Sequence, residues 1–379
     1  MTKIFPLIII VIIGLGVWLN KNEFNEHKTD SITLSEVLSH DDKQFTRAFQ
    51  AQKFKFPRDH GAHPNYKTEW WYITGNVNTD DDKEFGYQIT FFRIAMTPNK
   101  SVTDSKWSSN QFYMAHLALS DISQQKFYNQ ERFSRAALGL AGAKTNPKIR
   151  VWLEDWVISS VEKTLFPLTI EANDNEFSLS LSVESQKPIV LQGTEGLSQK
   201  GPESGNASYY YSYTRLATTG KVKIKDKEFI VKGDSWLDRE WSTSALPKNV
   251  EGWDWFSIQL DNNVELMFYR LRSKTGNATS LSKGSLINSN GDKTTLTSDQ
   301  VTISPQRWWT SEKSGVKYPI NWRLRIPDYG ISLQVDAAIA NQELNHSIRY
   351  WEGAIKVTGN YQNKNITGKG YLELAGYEK

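Results

Sequence analysis

Thr68-Glu69-Trp70-Trp71-Tyr72-Ile73-Thr74-Gly75 opens one hairpin of this chain, and Gly252-Trp253-Asp254-Trp255-Phe256-Ser257-Ile258-Gln259-Leu260 opens another. In the first, a turn signal at Asp80-Asp81-Asp82 leads to a return strand ending Phe91-Phe92-Arg93. In the second, Asn262-Asn263 leads to a return strand ending Phe268-Tyr269-Arg270. Both hairpins begin with tryptophans and close with two aromatics and an arginine. The echo implies two related halves, with a boundary in the region 225–233.

Outward from these hairpins the chain reads as strands and turns almost throughout. Alternating runs occur at 85–94, 112–120, 177–183, 209–216, 222–231, 255–260, 264–271, 331–337 and 354–361. Side chains of a strand alternate between two faces, so such runs mark sheets with one buried side. Many short strands with turn signals between them, Asn290-Gly291-Asp292 among them, indicate barrels or sandwiches. The expected architecture is all-β: a first domain over 53–230 and a second over 231–379. Before them, 21–52 reads as a polar spacer, with a short helix expected within 40–52.

Composition narrows the function. The net charge of +3 over 379 residues is too small to argue for a nucleic-acid partner. The aromatic share is high, with 14 Trp, and Trp and Tyr line apolar sites while keeping one polar handle. There is no cysteine, so disulfides, thiol nucleophiles and Cys-ligated metals are excluded. No phosphate loop, nucleophile elbow or dinucleotide fingerprint occurs. At the N-terminus, Lys3 precedes an apolar run over 4–19 broken only by Pro6, Gly14 and Gly16. A basic residue followed by such a run is the pattern of an export signal. Residues 1–20 are compatible with a cleaved signal or a retained anchor, and either places the protein in the periplasm or facing it from the membrane.

Two acidic segments are candidates for chemistry. In Gly233-Asp234-Ser235-Trp236-Leu237-Asp238-Arg239-Glu240-Trp241-Ser242, an extended chain puts Asp234, Trp236, Asp238 and Glu240 on one face. Carboxylates so crowded repel, and one of them tends to hold a proton and act as a general acid. The competing reading is a solvated turn with local salt bridges. Asp254 shares a strand face with Phe256, Ile258 and Leu260, an unusual setting for a charge. Arg270 stands on the return strand, so an Asp254–Arg270 pair across the hairpin is expected, and Arg93 opposite Glu69 plays the same part. His60, His63 and His116 have no diagnostic metal-ligand spacing. Hydrogen bonding that pins the loop before Trp70 is the plainer reading, so no metal and no cofactor are expected.

The strings Asp59-His60-Gly61-Ala62-His63-Pro64, Gln88-Ile89-Thr90-Phe91-Phe92-Arg93 and Met114-Ala115-His116-Leu117-Ala118-Leu119-Ser120-Asp121 add to those quoted above. So do Tyr350-Trp351-Glu352-Gly353-Ala354 and Gly368-Lys369-Gly370-Tyr371-Leu372-Glu373-Leu374. Together they make the chain resemble the AttH/CrtC-type lipocalin-like family from about Phe54 to Tyr377. The resemblance implies two lipocalin-like antiparallel β-barrels and kinship with carotenoid 1,2-hydratases, which add water to a terminal isoprenoid double bond without a cofactor. A carboxylic acid protonates the alkene, aromatic faces stabilise the cation, and water adds. Carried onto this chain, Asp238 is the acid, with Trp236, Trp241 and Trp253 as aromatic walls and Glu240 or Asp254 steering water. Trp70, Tyr72, Trp255, His60 and His116 complete the expected ligand site. One departure matters: a histidine-containing segment is expected in the hydratases where this chain has Asp238-Arg239-Glu240.

Three readings follow. The first is an exported protein that binds an apolar, lipid- or isoprenoid-like ligand. The second is a hydratase or related lyase. The third is an accessory protein of a membrane transport complex, held at the membrane by its N-terminal segment and showing an exposed apolar patch. Convergence of Asp238, Glu240 and Trp253 on one pocket favours the enzyme. The cavity is expected either inside one barrel or in the cleft between the two domains, where the acidic segment lies near the boundary.

Overall fold

The computed structural model describes residues 32–33, 44–98, 105, 107–243, 246–247 and 249–377. The expected signal or anchor over 1–20 lies outside the described residues, as does most of the spacer. Among the described residues no helix is long and apolar enough to cross a membrane. Residues 44–52 form a turn, bends and irregular chain, so the described part of the 40–52 segment is not the expected helix. Phe45 and Ala48 are buried there, and Ala48 packs into the first core.

Two large sheets make up the molecule. The first runs in the order Lys126–Arg135, Gln111–Asp121, Glu84–Ala95, Thr68–Asn78, Lys227–Ser242, Ala207–Ile224, Phe177–Ser185, Leu168–Asn173, Trp156–Ser160, Arg150–Leu153, Ala141–Lys144. The second runs Lys293–Thr297, Lys283–Ile287, Glu265–Ser273, Val250–Leu260, Lys364–Ala375, Ile348–Tyr361, Ile331–Ala337, Lys317–Ile326, Thr302–Thr310. The plan is the same in both. An antiparallel meander pairs its first long strand with its last, and the break in hydrogen bonding falls between the fourth and fifth strands. The halves that the tryptophan hairpins suggest are therefore two lipocalin-like domains. In the first, Arg132 spans the break: it donates to Asn173 O at 2.8 Å, pairs with Asp155 and lies 4.3 Å from the Trp156 ring centroid.

Each sheet curls around its own core. Phe177, Leu179, Leu181 and Val183 alternate into the first, with Trp156 and Tyr87, and Phe256, Ile258, Trp322 and Leu333 fill the second. The domain division differs from the expected 230/231. The run over 222–231 straddles a tight turn between Ile224 and Lys227, and Lys227–Ser242 returns to pair with Thr68–Asn78. This strand completes the first sheet, so the seam falls between Ser242 and Val250.

Where the strands meet at the seam, they have no face in water. In Thr68–Asn78 and the second half of Lys227–Ser242 nearly every residue is buried. One face looks into the first barrel, and the other packs against Val250–Leu260, Ile348–Tyr361 and Lys364–Ala375 of the second. Hydrogen bonds cross this contact: Asn76 Nδ2 donates to Gly370 O at 3.1 Å, and Gln259 Nε2 to Thr214 O at 2.8 Å and Ser235 O at 3.0 Å. Lys187 of the first domain reaches the second, where its Nζ contacts Glu265 Oε2 at 2.7 Å and two backbone carbonyls.

Candidate active site between the barrels

Pairing register places the functional side chains. In the first sheet Ser212, Asp238, Tyr72, Thr90 and His116 stand opposite one another on successive strands, and Tyr210, Glu240, Trp70 and Phe92 form the next such row on the same face. In the second sheet Glu352, Glu373, Trp255 and Tyr269 form a row. These rows meet across the seam around a cavity of about 130 Å³. Its lining includes Trp70, Tyr72, Phe92, Lys200, Tyr210, Asp238, Glu240, Trp253, Trp255, Tyr269, Tyr350, Glu352 and Glu373. The cavity is in the cleft, not inside a barrel.

Asp238 is buried and accepts hydrogen bonds from Ser212 Oγ (2.5 Å), Tyr210 Oη (2.5 Å) and Trp236 Nε1 (2.7 Å). Burial raises its pKa to about 7 against these donors, with the Glu240 charge adding to the rise. Glu240 takes a hydrogen bond from Ser208 and lies 3.1 Å from Lys200 Nζ. Burial disfavours the Lys200 ammonium, but Glu240, Tyr269 and Asp238 outweigh that effect and raise its pKa. The ammonium also sits 4.3 Å above the Tyr269 ring and 5.2 Å from that of Tyr210. Across the cleft Glu373 accepts from Trp253 Nε1 at 3.0 Å, and burial followed by the charges of Asp238 and Glu240 lifts it to about 7. Glu352, deeper still, is raised well above the ordinary carboxylate range by burial and by Glu373. At neutral pH the cleft thus holds carboxylic acids beside aromatic faces and one ion pair.

Asp238, Glu240, Trp253, Trp70, Tyr72 and Trp255 therefore converge on one cavity. Trp236 stands just behind, bonded to Asp238 and 6.3 Å from the Trp255 ring. Asp254 does not reach the cavity, because strand alternation turns it away from Trp253 and Trp255. It is fully buried against Arg270 Nε (2.5 Å), Arg272 Nε (3.2 Å) and Tyr377 Oη (2.7 Å). The expected Asp254–Arg270 pair is present, and its role is structural. Trp241 also faces inward, stacked on His63 at 3.9 Å in the first barrel. His60 lies there too, bonded to Tyr211 Oη at 2.6 Å, and burial and Arg239 lower its pKa to about 3. His63 meets Glu69, which pairs with Arg93 and Arg239, so both loop histidines pin the segment before Trp70. His116 sits one layer behind the wall, between Tyr350 Oη (2.6 Å) and Glu131 (2.9 Å). Among the described residues no group of three or more His, Asp or Glu has metal-holding geometry.

Glu352 and Glu373 were not singled out in the sequence. The signal was available: Glu373 in Tyr371-Leu372-Glu373-Leu374-Ala375 is an acid in an apolar strand, the criterion that drew attention to Asp254. Lys200, Tyr210 and Tyr269 carried no such mark.

Comparison with solved structures places this geometry. A crystal structure of an AttH protein from Nitrosomonas europaea is 32% identical, with a TM-score of 0.79 over 88% of this chain and 100% of that one. Kievitone hydratase from Nectria haematococca shares the fold at 15% identity, with a TM-score of 0.64 over 88% of this chain and 98% of its own. CghA does so at 12% identity, with a TM-score of 0.50 over 89% of this chain and 98% of its own. Comparison with curated proteins gives no match. The AttH-like family matches residues 47–377, both barrels and the cleft between them, and the chain belongs to that family.

Proposed function

We propose that this protein is a cofactor-independent hydro-lyase that adds water to a double bond of a largely apolar molecule seated between its barrels. The observation that carries this reading is the convergence of Asp238, Glu240, Glu352 and Glu373 with Trp70, Trp253 and Trp255 on one cavity. The Asp238 acid gives its proton to one alkene carbon, and the π electrons form the new C–H bond. The cation left on the neighbouring carbon lies against indole faces, whose quadrupole stabilises it. Water, steered by the Glu240–Lys200 pair, forms the C–O bond and loses a proton to the carboxylate of Asp238. Acid and base are thereby restored with no net proton change. A solved relative with this fold is by name a hydratase, which agrees with the reading.

A simple carrier of an apolar ligand needs only the aromatic walls. Three buried carboxyl groups, with the half-buried one of Glu373, cost stability beside them and add nothing to storage. The apolar run over 4–19 supports export, with the protein working in the periplasm, free or held to the membrane by that segment.

The test is incubation of the full chain with a panel of prenyl-type alkenes, read by mass spectrometry for one added water. Asp238→Asn should lower turnover at least about 100-fold, the usual contribution of a positioned acid, with ligand affinity nearly unchanged. Turnover retained in that variant would remove Asp238 from the role.

A further inference from the structure

Half of the large apolar side chains that stand exposed among the described residues come from one stretch, 96–140: Met96, Trp107, Phe133, Leu138 and Leu140. Register and contacts gather them at one end of the first sheet. Phe133 stacks on Phe112 with ring centroids 5.7 Å apart. Phe112 stands opposite Arg135, whose Nη2 lies 3.9 Å from Met96 Sδ. Met96 N donates to Asn110 O and Ala136 N to Gln111 O, so the connections that carry Trp107 and the two leucines leave from that same end. The patch also has an inner side. Phe112 packs on a cluster that includes Met114, Ile348 and Tyr350, as do Phe92 and Trp253. Tyr350, Phe92 and Trp253 line the cleft cavity. Exposed apolar patches of this kind mark interaction sites.

We propose that this face rests on a lipid bilayer. The N-terminal chain points to that occupant. Ile32–Thr33 pairs in parallel with Ile348 and Arg349, so the chain that follows the apolar run over 4–19 arrives beside the cluster on which the patch is built. Residues 20–31 reach at most about 45 Å when fully extended, which keeps the patch close to any membrane that holds the run. The run is shorter than the roughly 20 residues of a comfortable span, and a weak anchor gains most from a second contact. The side chains suit an interface: an indole such as that of Trp107 favours the headgroup level, and the exposed Arg135 offers a cation to anionic lipid. A protein partner has no use for the cavity behind the patch. An apolar molecule dissolved in a bilayer does, because patch and cavity lining share one cluster. This rests on the reading of 4–19 as a membrane segment and goes beyond it by setting the folded body on the bilayer.

The chain has no cysteine, so a single introduced one can carry an environment-sensitive nitrobenzoxadiazole label at a chosen point. The full chain is reconstituted in vesicles of phosphatidylethanolamine and phosphatidylglycerol, with and without a doxyl-labelled lipid that quenches inside the bilayer. Three variants are compared: Phe133→Cys on the patch, Asn20→Cys after the apolar run, and Ile230→Cys, exposed near the far end of the same sheet. The labels at 133 and 20 should shift to the blue and be quenched, and the label at 230 should do neither. Quenching at 20 but not at 133 overturns the inference and leaves the run in the membrane. Quenching at neither overturns both readings. Equal quenching at 133 and 230 also overturns it, since the body then has no preferred face. A blue shift at 133 without quenching marks a protein partner, a second copy included, and overturns the bilayer as occupant. Met96→Cys carries the label to the adjoining strand end and decides the question if Phe133→Cys does not fold.

Discussion

Asp238 and Glu69 are both buried acids, yet their surroundings push them in opposite directions. Glu69 sits between Arg93 and Arg239, which outweigh its burial and hold its pKa well below the ordinary value. It stabilises the fold above its unfolded pKa, and that contribution is lost as pH falls. Asp238 is held by neutral donors instead, and burial raises its pKa from 3.8 to about 7. Between those values the native state keeps a proton that the unfolded chain has released, so stability falls as pH rises through the window. The loss is on the order of 4 kcal/mol at one pKa unit per 1.36 kcal/mol. Thermal melts should therefore show greatest stability in mild acid, and Asp238→Asn should flatten the alkaline limb while leaving the acid limb in place. Turnover should decline as pH climbs through 7, because the acid form of Asp238 is the active one. Asp238 and Glu240 were legible because they share a face with Trp236. Glu373 is legible by the mark that Asp254 bears, an acid in an apolar strand, but its place beside Glu352 is not, because only pairing register brings the two together.

The strand Lys227–Ser242 serves two interiors. Trp236, Asp238 and Glu240 face the cleft, while Leu237, Arg239 and Trp241 face the first core. Arg239 lies 3.9 Å from the Trp71 ring centroid, pairs with Glu69 and donates to Gly61 O. Arg239→Leu would leave Glu69 buried with one arginine fewer, and should cost about 3–5 kcal/mol in denaturant unfolding. That loss should appear without any change in ligand preference, since Arg239 does not line the cavity. Alternation made the two faces legible in the sequence. Which of them faced a cavity was not legible, since both are rich in aromatic residues. Trp241 is expected at the ligand for that reason and lies in the core instead; His60, expected there from the family resemblance, is buried in the loop before Trp70.

At the scale of the molecule, two barrels of one plan meet at a close-packed seam. Gly86 lies on it: a Cβ there would come 2.5 Å from Ala354 Cβ and 3.0 Å from Tyr371 Oη of the other domain. Gly86→Leu should force the sheets apart, weakening ligand binding at least about ten-fold while far-UV dichroism stays that of a folded β protein. Lys187→Met should leave Glu265 with Arg215 and Thr214 as partners, and lower stability by about 3 kcal/mol. The two-barrel plan was legible from the paired tryptophan hairpins; the docking of one outer face on another was not, because no local pattern encodes it. Where they meet at the seam, the strands Thr68–Asn78 and Lys227–Ser242 have no side turned to water, and this bears on how the protein can change over generations. A position with a wet side drifts freely, but here every residue answers to one interior or the other. Positions 237, 239 and 241 should stay fixed across relatives whatever they bind. Positions 236, 238 and 240, which serve the cleft, should change only as a set when a lineage takes up a new molecule.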